Sequence, residues 1–231
     1  MFGGYDLKSN IKGKVWVSII SGVLFLLLIV IIKNVDVAVI GPESTEIGLS
    51  HINQAVHEAI GVNMACYKFT EITGILMLGV VAAFGVVGLV QLIRRKNLLK
   101  VDREILILGG FYIIIGILYL FFNKVAVNYR PIIIPGESEV ASAFPSSHTV
   151  LSLTVMGSAI MLLGKYIKNP TWCSILKILC VLLMVATVVG RLLSGAHWLT
   201  DIIGSLLLST CLLSAFSAAI SFPISYRGTD P

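Results

Sequence analysis

Charge is what this sequence has least of. Only 13% of its 231 residues are charged, against 57% hydrophobic, and the mean hydropathy is +0.95. That balance excludes an ordinary soluble globular protein and places the chain among integral membrane proteins. It also lacks any long polar stretch that could fold as a separate soluble domain, so residues 1–231 are expected to form one membrane-embedded domain. The basic residues flank apolar runs, and no basic patch with interleaved aromatics occurs, which excludes a nucleic-acid partner and assigns the net charge of +5 to membrane topology. Cysteine is scarce as well: Cys66, Cys173, Cys180 and Cys211 have no metal-like spacing, and three lie in or beside apolar runs as small hydrophobes. No small-residue cleavage site follows the first apolar run, so that run reads as a retained span rather than a signal peptide.

What is abundant is apolar sequence in blocks of membrane-crossing length. Runs at Val15–Ile32, Ile72–Ile93, Ile105–Phe122, Thr149–Leu163, Ile175–Val189 and Ile202–Ile220 predict an all-α, polytopic bundle of six transmembrane helices. Lys8, Lys12 and Lys14 precede the first run. Arg94, Arg95, Lys96, Lys100 and Arg103 fill the second loop, and Lys165 and Lys168 the fourth. The first loop instead carries Asp36, Glu43, Glu46 and Glu58. The positive-inside rule therefore puts both termini in the cytoplasm and the first, third and fifth loops outside. In the first loop, Ile52, Ala55, Val56, Ala59 and Ile60 recur at helical spacing, with Ser50 as the expected cap. They predict a short amphipathic helix at the interface, with His51 and His57 as solvated surface residues.

Three polar clusters fall in the outer loops. The fifth loop carries Gly190-Arg-Leu-Leu-Ser-Gly-Ala-His-Trp-Leu-Thr-Asp201. His197 and Asp201, four apart, would share a helix face, so a carboxylate could orient an imidazole and leave its other nitrogen free. Ser194-Gly195 would break the preceding helix, with Ser194 capping the next and His197 in its first turn, where backbone N–H groups and the dipole favour an anion. The third loop carries Lys124 and Arg130-Pro131, then Phe144-Pro145-Ser146-Ser147-His148 directly before the fourth span, with Pro145 suited to a first helical turn. Each cluster alone has a plain reading: polar residues at the membrane boundary, snorkelling Lys124 and Arg130, ordinary serine caps, a structural His148. Together they bring three cations, two histidines and a carboxylate to one side of the membrane, as a phosphate site requires.

These segments resemble the three motifs of the type 2 phosphatidic acid phosphatase superfamily, which includes membrane lipid phosphatases, soluble acid phosphatases and haloperoxidases. Its pattern is a lysine, six residues and Arg-Pro, then Pro-Ser-Gly-His, then Ser-Arg-x5-His-x3-Asp. The third motif matches at Arg191, His197 and Asp201, and the second at Pro145, Ser146 and His148. Three positions depart: five residues rather than six separate Lys124 from Arg130, Ser147 replaces the motif glycine, and Gly190 replaces the motif serine. The resemblance implies hydrolysis of a membrane lipid phosphate or diphosphate, with undecaprenyl diphosphate, phosphatidylglycerol phosphate and phosphatidic acid as candidates. It implies that Arg130, Arg191 and Lys124 bind phosphate with Ser146 and Ser147. His197 would attack phosphorus, oriented by Asp201, to give a phosphohistidine, and His148 would protonate the leaving oxygen. It calls for no cofactor and no metal. The setting expected is a bacterial cytoplasmic membrane with the site on its outer face; oligomeric state is not readable from the chain. The rival readings are a phosphotransferase on the same scaffold, a non-catalytic transporter of phosphorylated lipid, and a metal site built from His148, His197 and Asp201.

Overall fold

The computed structural model describes residues 3–223, with side chains from Ile11 onward. The Lys8 side chain and the two chain ends that the charge pattern assigns to the cytoplasm lie outside the described residues. Seven α-helices follow in order: α1 (Gly3–Asn34), α2 (Ser50–Ile60), α3 (Met64–Arg95), α4 (Arg103–Lys124), α5 (Ser147–Tyr166), α6 (Pro170–Leu193) and α7 (Leu199–Ser221). All but α2 are long and apolar enough to cross a membrane, so the six expected spans are present. Uninterrupted helices are what an apolar chain must form there, because the hydrocarbon offers backbone groups no other partner. Two of the starts have strong caps. The Asn63 carboxamide oxygen accepts from the N–H groups of Ala65 and Cys66, and that of Asn169 from Thr171 and Trp172, with Pro170 in the first turn. Leu26, Leu89, Ile113, Ile117 and Leu182 are exposed, an arrangement tolerable only against lipid tails. The protein is an integral membrane protein.

Helix α5 is the axle of the bundle, packed against α3, α6 and α7, while α1 lies along α7. The α1–α7 seam ends in an aromatic cluster, where Phe25 of α1 stacks on Phe144 with centroids 5.6 Å apart and Phe122 of α4 sits edge-on to both. This cluster fixes the segment that leads into α5. The loops sort to two ends. At one end the first, third and fifth loops join: Gly48 N–H donates to Asn128, the Asn53 carboxamide bridges to Thr200, and the Trp198 indole donates to the Tyr129 carbonyl. At the other end Asp102 gathers Arg95, Gln91, Lys165 and Tyr166. A two-stranded ribbon, Ala38–Val39 against Glu46–Ile47, is a small addition in the first loop that the apolar pattern did not announce.

Helix α2 occurs at the expected residues, but its inward face is mixed rather than apolar. Asn53 is fully buried, Val56, His57 and Ile60 are half-buried, and the His57 ring packs 5.3 Å from Trp198, whereas Ile52, Ala55 and Ala59 are exposed along with His51, Gln54 and Glu58. His57 is thus no solvated surface residue, and burial pushes its imidazole below the usual range. His51 is exposed and pairs with Asp36. Ser50 does not cap α2; the cap is Leu49 in a left-handed conformation, and the Ser50 hydroxyl donates to Asp36 instead.

Candidate active site

The site forms where the N-terminus of α5, the α6–α7 turn and the upper part of α3 meet. Ser146 is the N-cap of α5, followed by Ser147 and His148, so Pro145 stands before the helix rather than in its first turn. Ser146 is fully buried; its hydroxyl accepts from Thr149 Oγ1 at 3.0 Å and its carbonyl accepts from Ser205. Ser147 and His148 line the cavity described below.

The α6–α7 turn breaks at Ser194-Gly195 as expected, but Ser194 ends α6 instead of starting α7. Its hydroxyl donates to the Arg191 carbonyl and accepts from the Ala196 N–H. Gly195 has φ +69, and a Cβ there would lie 2.6 Å from the Gly61 carbonyl oxygen, so only glycine fits this turn. Helix α7 begins at Leu199, capped by Trp198. His197 therefore precedes the cap and is not in the first turn. His197 and Asp201 still meet, because Asp201 reaches back over the start of α7. One of its oxygens accepts from the Trp198 N–H at 2.8 Å and lies 3.5 Å from His197 Nδ1. Both residues are buried. Burial first, then the nearby cations of Arg191 and Arg130 and the adjoining His148, hold His197 well below the usual imidazole range.

Arg191, near the end of α6, is 1% exposed and lies 5.0 Å over the Tyr67 ring. Its Nη2 donates to Glu71 at 2.5 Å, while its Nε has no hydrogen-bond partner. Arg130 likewise has Nε and Nη1 without hydrogen bonds, with only a loose 3.5 Å approach to Glu137. Both guanidinium groups thus keep buried donors without hydrogen bonds, an arrangement suited to an anionic partner. Gly190 is explained by packing: a Cβ there would lie 2.7 Å from Thr70 Cγ2, so α6 seats on α3 only without a side chain at this position.

A cavity of about 670 Å³ opens beside these groups. Arg130, Ser147, His148 and His197 border it together with Tyr67, Glu71 and Asn123, and its remaining wall is mostly apolar, from Ile75 and Leu78 of α3 through Ile115 and Leu118 of α4 to Val155 of α5. Lys124 is not brought into the site. It is exposed at the end of α4, and Asn123, which stands at the spacing the family motif gives its lysine, borders the cavity in its place. The contribution of α3 was also missed by sequence reasoning. The apolar run begins at Ile72 and leaves Glu71 outside it, whereas α3 starts at Met64 and carries Glu71 as an ionisable residue inside the helix. Among the described residues, no group of three His, Cys, Asp or Glu side chains converges as metal ligands would, so the alternative of a metal on His148, His197 and Asp201 gains no geometric support.

The sequence model of the PAP2 superfamily matches residues 104–223, just over half of the chain and all three motif segments. The chain belongs to the PAP2 superfamily. This PAP2 protein is also similar to a solved structure described as the first transmembrane PAP2 type phosphatidylglycerolphosphate phosphatase from Bacillus subtilis. The two share 18% identity over 87% of this chain and 94% of the other, with a TM-score of 0.55, a likeness of fold. Comparison with curated proteins gives no match. Membership of the family bears out the resemblance read from the motifs.

Proposed function

We propose that this PAP2 protein hydrolyses the phosphoryl group of a membrane lipid through a phosphohistidine at His197, without a metal. One observation carries the reading: a buried imidazole with a carboxylate 3.5 Å from its Nδ1 stands at the polar end of a cavity whose other wall is apolar. Arg130 and Arg191 take the phosphoryl oxygens through their unmet donors, and the N–H groups at the start of α5 add dipoles where charge grows in the transition state. His197 attacks phosphorus, and Asp201 steadies the imidazolium that results. His148, which also borders the cavity, gives its proton to the departing lipid oxygen and then takes one from the water that cleaves the phosphohistidine. Fixed cations supply the charge stabilisation that a metal would otherwise give. The apolar wall favours a substrate with a hydrocarbon tail, and the candidates are phosphatidylglycerol phosphate, phosphatidic acid and undecaprenyl diphosphate.

The test is phosphate release by purified protein from a panel of lipid phosphates in the presence of chelator. Hydrolysis of at least one of them, insensitive to chelator and inhibited competitively by vanadate, is the expected outcome. Activity that returns only on adding Zn²⁺ or Mg²⁺ would overturn the metal-free mechanism.

We also infer that the site faces outward in a bacterial cytoplasmic membrane. The loops with the active-site groups share one end of the bundle, and the arginines and lysines of the second and fourth loops share the other. Cysteine substitution tests this in a background lacking the four native cysteines. Ser138 suits a substitution in the third loop because it is exposed, whereas Gly136, two residues earlier, has φ +100 and would be strained by a side chain. Ser138→Cys should react with an impermeant thiol reagent on intact cells, and Leu99→Cys, 88% exposed at the other end, should be protected. The reverse pattern would put the site in the cytoplasm.

A further inference from the structure

One carboxylate already stands where the reaction needs an anion. Glu71 Oε1 accepts from Arg191 Nη2 at 2.5 Å and lies 3.4 Å from His148 Nε2. A single oxygen is thus held between the guanidinium that grips the phosphoryl group and the imidazole that protonates the leaving oxygen. We propose that Glu71 is the resident anion of the phosphate subsite: it partners Arg191 between turnovers, gives way to the incoming phosphoryl group, and returns to expel inorganic phosphate. This rests on the reading of Arg191 as a phosphate ligand given above.

The two partners are differently placed, and that difference makes the exchange workable. The Arg191 side chain is 1% exposed and cannot leave, and a buried guanidinium left without a counter-charge is unfavourable. The Glu71 side chain is 43% exposed and borders the cavity, so it has room to turn away. When a phosphoryl group arrives, one anion replaces another, and Arg191 is never left uncompensated. The two cannot share the donor, because like charges at hydrogen-bonding distance repel.

The consequence falls on the product. Hydrolysis leaves inorganic phosphate between two arginines, a complex that would be slow to dissociate if nothing competed for them. A carboxylate tethered to α3 competes at every turnover. It weakens the binding of all phosphoryl ligands alike, because the exchange is made at the phosphoryl group and not along the tail. Glu71 therefore trades affinity for release, which favours turnover when lipid is plentiful.

The experiment measures binding of inorganic phosphate and of vanadate to purified protein, read from the rise of Tm with ligand concentration, a readout that does not require activity. Wild type, Glu71→Gln, Glu71→Ala and Arg191→Ala are compared. Both Glu71 variants should bind phosphate and vanadate more tightly, by roughly three- to tenfold, discounted for the partial exposure of the carboxylate. The inhibition constants of both anions against lipid phosphate hydrolysis by Glu71→Gln should fall by the same factor. Arg191→Ala should weaken both ligands. If Arg191→Ala weakens them but the Glu71 variants leave affinity unchanged or lower it, Glu71 is not a competitor and this inference fails while the active-site reading stands. If Arg191→Ala leaves phosphate affinity unchanged, the reading of the site itself fails.

Discussion

His197→Ala abolishes phosphate release from lipid phosphates, with a loss of at least ~10⁴-fold in kcat. The size of the effect follows from the position of the ring. It is buried, and no other imidazole shares its place beside Asp201. The variant should fold, because among the described residues the hydrogen bonds within the turn are made by Ser194, Trp198 and Asp201, and the imidazole contributes only its contact to the Ala143 backbone. The diagnostic measurement is acid-labile, base-stable radioactivity retained on wild type quenched during turnover of ³²P-labelled substrate and absent from His197→Ala. Asp201→Asn separates orientation from attack. The carboxamide oxygen can still accept from the Trp198 N–H, so the cap survives, and roughly 10²–10⁴-fold is lost because the imidazolium is no longer stabilised. Full turnover by His197→Ala would exclude it as the nucleophile.

The second large effect is graded across the three cations of the motifs. Arg191→Ala removes a buried, charge-assisted contact worth about 1.5–3 kcal/mol, which lowers kcat/KM about ten- to a hundredfold, and Arg130→Ala should fall in the same range. Arg191→Lys should recover little, since an ammonium cannot reproduce a fork already placed over Tyr67. Lys124→Ala should change kcat/KM by less than about threefold, because the side chain is exposed and does not border the cavity. Michaelis parameters for the four variants on one lipid phosphate check the order. A loss at Lys124 equal to that at either arginine would show that its long chain does reach the phosphoryl group.

How much was legible in the sequence depends on the kind of signal. The six spans could be read because apolar runs of membrane length have few other uses, and each boundary erred only by residues such as Met64–Glu71 that an apolar count leaves out. His197 and Asp201 could be paired from spacing alone, yet the reason given for it was wrong. They meet across a capping turn and not along a helix face, and no periodicity distinguishes the two cases. The role of Gly190 was hidden because it belongs to a contact with Thr70, 120 residues earlier in the chain. Asn123 was hidden for the same reason, and the role of Glu71 as well, although its place in an apolar helix is a signal in itself. A polar residue in an apolar helix shows its meaning only when the facing helix is in place, as Arg191 is for Glu71.

The depth of the cavity has a consequence for how the enzyme meets its substrate. Its walls run from Tyr67 to Val81 on α3, which at ~1.5 Å per residue is roughly 20 Å along the helix, and from Ser147 to Val155 on α5, roughly 12 Å. Against a hydrocarbon core of about 30 Å, that is close to one leaflet. A tail longer than a leaflet must therefore run on into the surrounding lipid, so the bilayer completes the binding site. The concentration that governs the rate is then the mole fraction of substrate in the membrane, and adding inert lipid at constant bulk substrate should slow the reaction as a second, two-dimensional dilution.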